Sequence, residues 1–310
     1  MGIFSFIGGA ISSIGAGIAK VASCISTAVT KVATSAFKAA TTALSTLAAG
    51  GGFIGTIAAG AGKILAAASA FMAGPLGPIV GPIIASLVVE AIGKAIGWVA
   101  KKLGIIKEDE EPEDVGYRME EAAKHDDWEK REAFGSFTEY HDYLREKIPA
   151  SAIDRKKLEQ NRLMYMSLGI NALKGGIETK LGLDMPIDFL IEIGKCRLDG
   201  QELNALLEEF SVKGYDMSLF RQYLQGDLSS DMRRKIEDGI LIALKNVYPE
   251  KSDTDLREKI SAMRDVSRED GNILKNYATE LDQLIDKKKE EQTEQDMPKL
   301  INDSKGATEK

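Results

Sequence analysis

Apolar residues recur at the α-helical period near the start of the chain. Eleven apolar positions span residues 11–47 in ten steps, which is the helical repeat. They are Ile11, Ile14, Ile18, Val21, Ile25, Val29, Val32, Ala36, Ala40, Ala43 and Leu47. The other faces carry serine, threonine and lysine but no acidic residue. The pattern predicts an amphipathic helix whose polar face suits a headgroup layer or a water-filled pore. An ordinary helix packed on the rest of the chain is the alternative.

The longest apolar stretch follows, at residues 53–100. Two apolar runs, each close to the roughly 20 residues that a bilayer core requires of a helix, flank a cluster of glycine and proline. Such a cluster marks a turn. The predicted turn residues are Gly74, Pro75, Gly77 and Pro78. The sequence therefore predicts a helical hairpin that is able to enter a membrane.

Small residues in this region predict close packing between helices. Two pairs of glycines lie four residues apart, Gly51 with Gly55 and Gly93 with Gly97. In lipid, close contact between backbones replaces the hydrophobic drive for helix association. Residues 50–52 are three consecutive glycines, and they predict a hinge between the amphipathic helix and the hairpin.

Charged residues make insertion of the hairpin marginal. Six Ile, Leu and Phe residues between positions 53 and 73 favour insertion by about 2 to 4 kcal/mol, and the central Lys63 opposes it by a similar amount. The second run has ten Ile, Leu and Val residues but also carries Glu90 and Lys94. Lys63 and Glu90 lie at similar distances from the turn, so we expect them to pair or to share a polar face in a membrane. The alternative is that both face solvent in a soluble fold. A marginal segment fits a protein that is soluble first and inserted later.

Charge divides the chain near residue 107. Residues 1–107 carry eight lysines and one acidic residue, a net charge of +7, whereas the remainder carries 32 basic and 46 acidic residues, a net charge of −14. The basic part, which includes Lys20, Lys31 and Lys38, predicts attraction to anionic lipid headgroups. Nucleic acid is not expected as a partner, because this part has no arginine and few aromatic residues.

No residue pattern predicts catalysis, a cofactor or a bound metal. The two histidines, His125 and His141, are 16 residues apart and lack a cluster of further ligands, so we expect both at the surface. Cys24 and Cys196 lie in different parts of the chain without a metal-type spacing, and we expect two free thiols. The chain is therefore not expected to be an enzyme.

The acidic part of the chain predicts a second region built from helices. Residues 108–116 combine acidic side chains with a proline, and they predict a solvated linker after a membrane-active region at 1–107. Helix caps and stops recur through residues 117–292 and predict a soluble helical domain. The predicted helices include one that starts after Ser136, one from Ser151 to about Leu181, and one that starts at Asp199 and ends at Gly214. Residues 293–310 are polar and are expected to be disordered. The predicted fold class of the whole chain is all-α.

The Ala/Gly-rich hairpin at 53–100, with its turn of glycine and proline, resembles the hydrophobic hairpin of pore-forming colicins. The whole chain is similar, more loosely, to antibacterial membrane-depolarising effectors that bacterial secretion systems deliver. In colicins the hairpin lies near the C-terminus, whereas here it lies in the N-terminal third. The resemblance implies a helical protein that is soluble when stored and opens an ion-conducting pore in the inner membrane of a target cell.

These features predict a protein that inserts conditionally and permeabilises or depolarises a membrane. Lysines of residues 20–107 would dock on anionic lipid, the hairpin would insert, and the Ser/Thr/Lys face of residues 11–47 would line a water path after several copies assemble. Two other classes stay open: a virion or injection-particle component that aids membrane penetration, and a helical interaction scaffold tethered by the hairpin.

The same interpretation predicts the partners and the localisation of the protein. We expect a chaperone, a delivery protein or an immunity protein to mask the apolar part. No Sec-type signal is evident, because the first lysine is Lys20 and no cleavage site follows an apolar run. We therefore expect synthesis in the cytoplasm and action at a membrane after export by a non-Sec route.

Overall fold

The structure is a computed structural model, and it describes residues 27–72 and 77–268 together with Ile273 and Tyr277. The described residues form twelve α-helices and no strand, which confirms the all-α fold class. The helices are α1 (Thr27–Ala49), α2 (Gly52–Ala68), α3 (Gly77–Lys102), α4 (Pro112–Ala122), α5 (Phe137–Lys147), α6 (Arg155–Gln160), α7 (Arg162–Leu181), α8 (Ile187–Cys196), α9 (Gly200–Lys213), α10 (Ser218–Gln225), α11 (Ser230–Val247) and α12 (Asp253–Arg268).

A tight glycine turn joins α1 to α2. Gly51 and Gly52 have φ angles of 69° and 64°, which side-chain-bearing residues rarely adopt. A Cβ atom on Gly55 would lie only 3.0 Å from the carbonyl oxygen of Ala48, so the first turn of α2 packs closely on the last turn of α1. The predicted hinge is therefore a turn that packs α1 and α2 against each other.

Helix α3 lies in the middle of the bundle, where α1, α2, α7, α8 and α9 pack around it. Most of its apolar side chains are buried, and Val88, Val89 and Ile92 are fully buried. Pro82 lies inside this helix, and its carbonyl oxygen accepts a hydrogen bond from the Ser86 hydroxyl at 2.9 Å. This long apolar helix is therefore part of the protein core.

The prediction of a solvated linker at residues 108–116 is wrong for Glu110 and for Pro112 onward. Glu110 is 2% exposed, and the first turns of α4 are buried against α7. The acidic side chains are paired with cations that lie elsewhere in the chain. These pairs are Glu110 with Arg118 and Arg145, Glu111 with Lys101, Glu113 with Arg162, and Asp114 with Arg155.

The buried apolar residues of α1–α3 and those of α4–α12 belong to one contiguous core. The predicted change from a membrane-active region to a helical domain therefore does not separate two cores. The predicted disordered tail, residues 293–310, lies outside the described residues.

Several predicted helix boundaries are confirmed by their caps. Ser136 accepts a hydrogen bond from the Glu139 amide at 3.2 Å, and Asp199 forms a capping box with Glu202. Gly214 ends α9 with a φ of 66°. The predicted helix from Ser151 to Leu181 is instead two helices, because Asn161 separates α6 from α7.

Candidate membrane-inserting segment

One helix of the described residues is long and apolar enough to cross a membrane. This segment, Gly81–Lys102 in α3, has 22 residues. Its most apolar stretch of 18 residues has a mean hydropathy of 1.8, and 67% of that stretch is buried. Helix α2 is also apolar but has only 17 residues. A core helix of a soluble protein meets the same criteria of length and composition, so the segment is a candidate.

Glycines allow the neighbouring helices to approach α3 closely. A Cβ atom on Gly194 of α8 would lie 2.8 Å from Cγ1 of Val88, and one on Gly93 would lie 2.2 Å from Sδ of Met166 in α7. A Cβ atom on Gly97 would lie 3.0 Å from Cγ of Pro112. The predicted packing glycines Gly93 and Gly97 therefore serve contacts within the protein in this structure.

The charged residues of α3 meet partners other than the expected one. Glu90 Oε1 lies 3.0 Å from Lys94 Nζ and 3.6 Å from Arg162 Nη2. Lys63 is exposed on α2 and is not a partner of Glu90 here. The pairing of Lys63 with Glu90 that we expect in a membrane stays a prediction.

Five hydroxyl groups of α1–α3 bond to their own helices. Thr41, Ser45 and Thr46 donate to carbonyl oxygens four residues earlier at 2.9, 2.9 and 3.1 Å, and Thr56 and Ser86 do the same at 3.0 and 2.9 Å. A hydroxyl that is satisfied in this way keeps its hydrogen bond when the surroundings of the helix change. The hydroxyl-rich face of α1 can therefore enter a less polar environment at reduced cost.

The described part of α1 is amphipathic, with Phe37, Ala40 and Leu44 buried. Ala36, which the periodic pattern assigns to the apolar stripe, is exposed. Lys31 and Lys38 are also exposed, like Lys63 of α2, and neither helix contains an acidic residue. The surface of these two helices therefore carries only positive charge.

The remaining predicted residues of this region fall partly outside the described chain. Lys20, Gly74 and Pro75 are among the residues that the structure does not describe. Gly77 and Pro78 are the first two residues of α3 rather than part of a loop. Proline is well suited to this position, because the first helical amides have no intrahelical acceptor.

Sequence reasoning missed a buried polar group that follows α3. We call Glu110, Arg118, His141 and Arg145 the Glu110 cluster. Glu110 Oε1 lies 2.5 Å from Arg118 Nη1 and 3.1 Å from His141 Nε2, and its Oε2 atom lies 3.1 Å from Arg145 Nε. His141 is fully buried, so the prediction that it lies at the surface is wrong.

The electrostatics of the cluster favour the ionised carboxylate. Burial alone would raise the pKa of Glu110, but the hydrogen bond and charge of His141, the Lys107 amide and the charge of Arg118 together lower it to about 2. Arg118 also donates from Nε to the Ile148 carbonyl at 2.9 Å. The cluster therefore ties the segment after α3 to α4, to α5 and to Ile148 just after α5.

No other chemistry is apparent in the part of the chain that the structure describes. It contains no group of three or more His, Cys, Asp or Glu side chains that could hold a metal ion. Cys196 is a free thiol, and burial raises its pKa above the ordinary value. Comparison of the chain with protein-family models, curated proteins and solved structures gives no match.

Proposed function

We propose that the protein inserts conditionally into a membrane and permeabilises it, with α3 as the inserting helix. The observation that carries the proposal is that a helix of membrane-spanning length lies in the core, held mainly by apolar contacts. Lipid tails are as apolar as these contacts, so helix–core packing can be exchanged for helix–lipid packing. Ala- and Gly-rich α2 would accompany α3 as the second helix of the predicted hairpin.

Few polar interactions hold α1 and α2 on the remaining helices. Asn171 of α7 donates from Nδ2 to the Ile57 carbonyl of α2 at 3.0 Å. Three hydroxyl groups of α1 and one of α2 bond within their own helix. Separation of α1 and α2 from the core would therefore break few hydrogen bonds between helices, which supports a role as a cover for α3.

The charge of the same surface supports docking on anionic lipid. Lys31, Lys38 and Lys63 are exposed on α1 and α2 without an acidic neighbour in either helix. Each such lysine near an anionic membrane contributes about 1 kcal/mol of attraction. In the proposed order of events, this surface meets the membrane first, and several copies then assemble around a water path lined by hydroxyl groups.

Dye release from vesicles tests the proposal. Full-length protein is added to vesicles of phosphatidylglycerol and phosphatidylcholine, or of phosphatidylcholine alone, that contain a self-quenched dye. We expect release from the anionic vesicles and stepwise conductance in a planar bilayer of the same lipid. Binding without release would favour a tether over a pore, and absence of binding would contradict membrane action altogether.

Expression in bacteria tests the biological side of the proposal. A membrane-depolarising effector is expected to dissipate the membrane potential of the cell that contains it, which a potential-sensitive dye reports. Relief of that toxicity by the product of a neighbouring gene would support an antibacterial effector with an immunity partner. Full expression with an unchanged potential would argue against that role.

A further inference from the structure

The C-terminal end of α3 is held by polar interactions. Lys101 Nζ lies 2.8 Å from Glu111 Oε1, and Lys102 Nζ lies 3.2 Å from Glu208 Oε1 in α9. One residue beyond the helix, the Leu103 carbonyl accepts a hydrogen bond from Lys180 at the end of α7. Polar contacts from Glu111, α7 and α9 therefore hold this end of the helix in place.

The segment that follows α3 is held still more firmly. Ile105 and Ile106 are buried in the core, and Glu110 occupies the centre of the Glu110 cluster. The Lys107 amide donates to Glu110 Oε2 at 3.1 Å, so the carboxylate also fixes the backbone of its own loop. Residues 103–111 thus form a continuous attachment to α4, α5 and α7.

The other end of α3 lacks such ties. Among the described side chains from Gly81 to Val89, Ser86 makes a hydrogen bond, and its acceptor belongs to α3 itself. This half of the helix meets α8 by close packing, where a Cβ atom on Gly194 would lie 2.7 Å from the Val88 carbonyl oxygen and 2.8 Å from Val88 Cγ1. Glu90, at the middle of the helix, is the first residue whose side chain pairs with another helix.

We propose that the Glu110 cluster is a fixed anchor, so that α3 leaves the core from its N-terminal end while residues 103–111 stay attached to α4 and α5. This inference rests on the proposed function. Withdrawal of Glu110 would leave the buried Arg118 without its carboxylate and would remove one partner of the partly buried Arg145. Loss of a buried ion-pair partner is far more costly than the loss of apolar contacts that lipid can replace. Helices α4–α12 would then stay on the side of the membrane where α3 ends.

Two engineered disulfides, each placed where another helix packs closely on α3, distinguish movement of the N-terminal half of α3 from movement of its C-terminal end. Both are built in a background without the native thiols, Cys24→Ser with Cys196→Ala. The first disulfide, Val88→Cys with Gly194→Cys, ties the N-terminal half of α3 to α8. The second, Gly97→Cys with Pro112→Cys, ties the C-terminal end to α4 and leaves residues 77–96 free, still roughly the length that spans a bilayer core.

Dye release from anionic vesicles is measured for each variant oxidised and after reduction, with disulfide formation verified by thiol titration. We expect the oxidised 88–194 disulfide to slow release by roughly tenfold or more, with recovery on reduction, because about 1.4 kcal/mol of added barrier already gives tenfold. The oxidised 97–112 disulfide should release dye at the rate of its reduced form.

The other outcomes contradict the anchor in distinguishable ways. If both oxidised disulfides stop release and reduction restores it, α3 detaches completely, so the anchor is wrong while the proposed function stands. If neither oxidised disulfide alters release, α3 does not leave the core, and both proposals fail. A background protein that never releases dye overturns the proposed function, and the anchor with it.

A measurement without lipid tests the cluster itself. Glu110→Gln removes the charge, and Glu146→Gln, an exposed position on α5, is the matched control. We expect trypsin to cleave after Lys107 roughly tenfold faster in Glu110→Gln than in the control, because the loss of a buried ion-pair partner weakens local structure by at least one tenfold step. Equal cleavage rates would show that the cluster does not hold residues 103–111.

Discussion

Gly169 of α7 packs directly on Pro112, the first residue of α4. A Cβ atom at position 169 would lie 1.8 Å from the Pro112 carbonyl oxygen, a distance that no side chain can occupy. The same pair of helices meets again at Gly116, where a Cβ atom would lie 1.9 Å from the Tyr165 carbonyl oxygen. The segment after α3 therefore docks on α7 by contact between backbones, and its geometry depends on two glycines.

Gly169→Ala is expected to destabilise the protein severely. The added Cβ atom would clash with backbone atoms of Pro112, which no change of side-chain rotamer can relieve, so α4 and α7 must move apart. We expect a loss of about 3 kcal/mol or more in the free energy of unfolding. Urea unfolding followed by circular dichroism measures the effect.

Gly175→Ala in the same helix is the matched control, because no atom lies within 4 Å of a Cβ atom at that position. Alanine is favoured over glycine inside a helix by about 1 kcal/mol. The control should therefore be neutral or slightly more stable than the unchanged protein. An equal gain in both variants would mean that helix propensity, and not the α4–α7 contact, sets the result.

The Glu110 cluster should make stability fall in acid. The pKa of Glu110 is lowered from 4.5 to about 2 in the folded protein, so between these values the unfolded chain binds more protons and stability decreases as the pH falls. The full shift corresponds to a contribution on the order of 3 kcal/mol that is present above pH 4.5 and lost near pH 2.

Urea unfolding of Glu110→Gln and the unchanged protein over this pH range checks the expectation. The variant should be less stable at pH 7, and the difference should shrink as the pH approaches 2. Glu121 also has its pKa lowered to about 2, but it is present in both proteins and its contribution cancels in the difference. A difference that does not change with pH would show that Glu110 contributes through packing alone.

Local signals in the sequence were sufficient for several helix starts of the acidic part. Ser136 with Glu139 and Asp199 with Glu202 are capping patterns within four residues, and both start helices as predicted. The residues that mislead are those whose partners are distant. The acidic run at 108–116 has the composition of a solvated linker, and the sequence does not show which cations pair with it. Two of these cations, Arg145 and Arg155, lie more than 30 residues from their acidic partners in the chain.

The candidate segment shows the same division between local and distant information. Length and apolar composition identified α3, since both are properties of the segment itself. Its place in the core depends on where α7, α8 and α9 pack, and the segment that follows it is held by the Glu110 cluster, which joins residues up to 35 positions apart. Periodicity placed Ala36 in the buried stripe of α1, but in the structure the buried face is centred on Phe37, Ala40 and Leu44.

Asn171→Ala should loosen α2 without unfolding the protein. Asn171 fits beside Gly60 and donates to the Ile57 carbonyl at 3.0 Å, and that hydrogen bond contributes about 1 kcal/mol. We expect amide hydrogen exchange in α1 and α2 to accelerate roughly fivefold, since this energy corresponds to slightly less than one tenfold step. Asn161→Ala is the control, because Asn161 bonds only within its own segment, to Lys157. Uniform acceleration over all helices would instead indicate global destabilisation.

Replacement of the exposed lysines of α1 and α2 tests the lipid-docking surface. The triple variant Lys31→Gln, Lys38→Gln and Lys63→Gln removes every charge of the two helices. At about 1 kcal/mol for each lysine near an anionic surface, binding to phosphatidylglycerol vesicles should weaken by roughly a hundredfold at low salt. Sedimentation with vesicles measures the partition coefficient, and added salt should reduce the difference between the two proteins because it screens exposed charges.

A second triple variant separates the position of the charges from their number. Lys156→Gln, Lys213→Gln and Lys235→Gln remove three exposed lysines from the acidic part, so net charge changes by the same amount. If α1 and α2 form the docking surface, this variant should bind anionic vesicles nearly as well as the unchanged protein, because its lost charges lie outside these two helices. Equal weakening in the two variants would mean that overall charge, and not the surface above α3, brings the protein to the membrane.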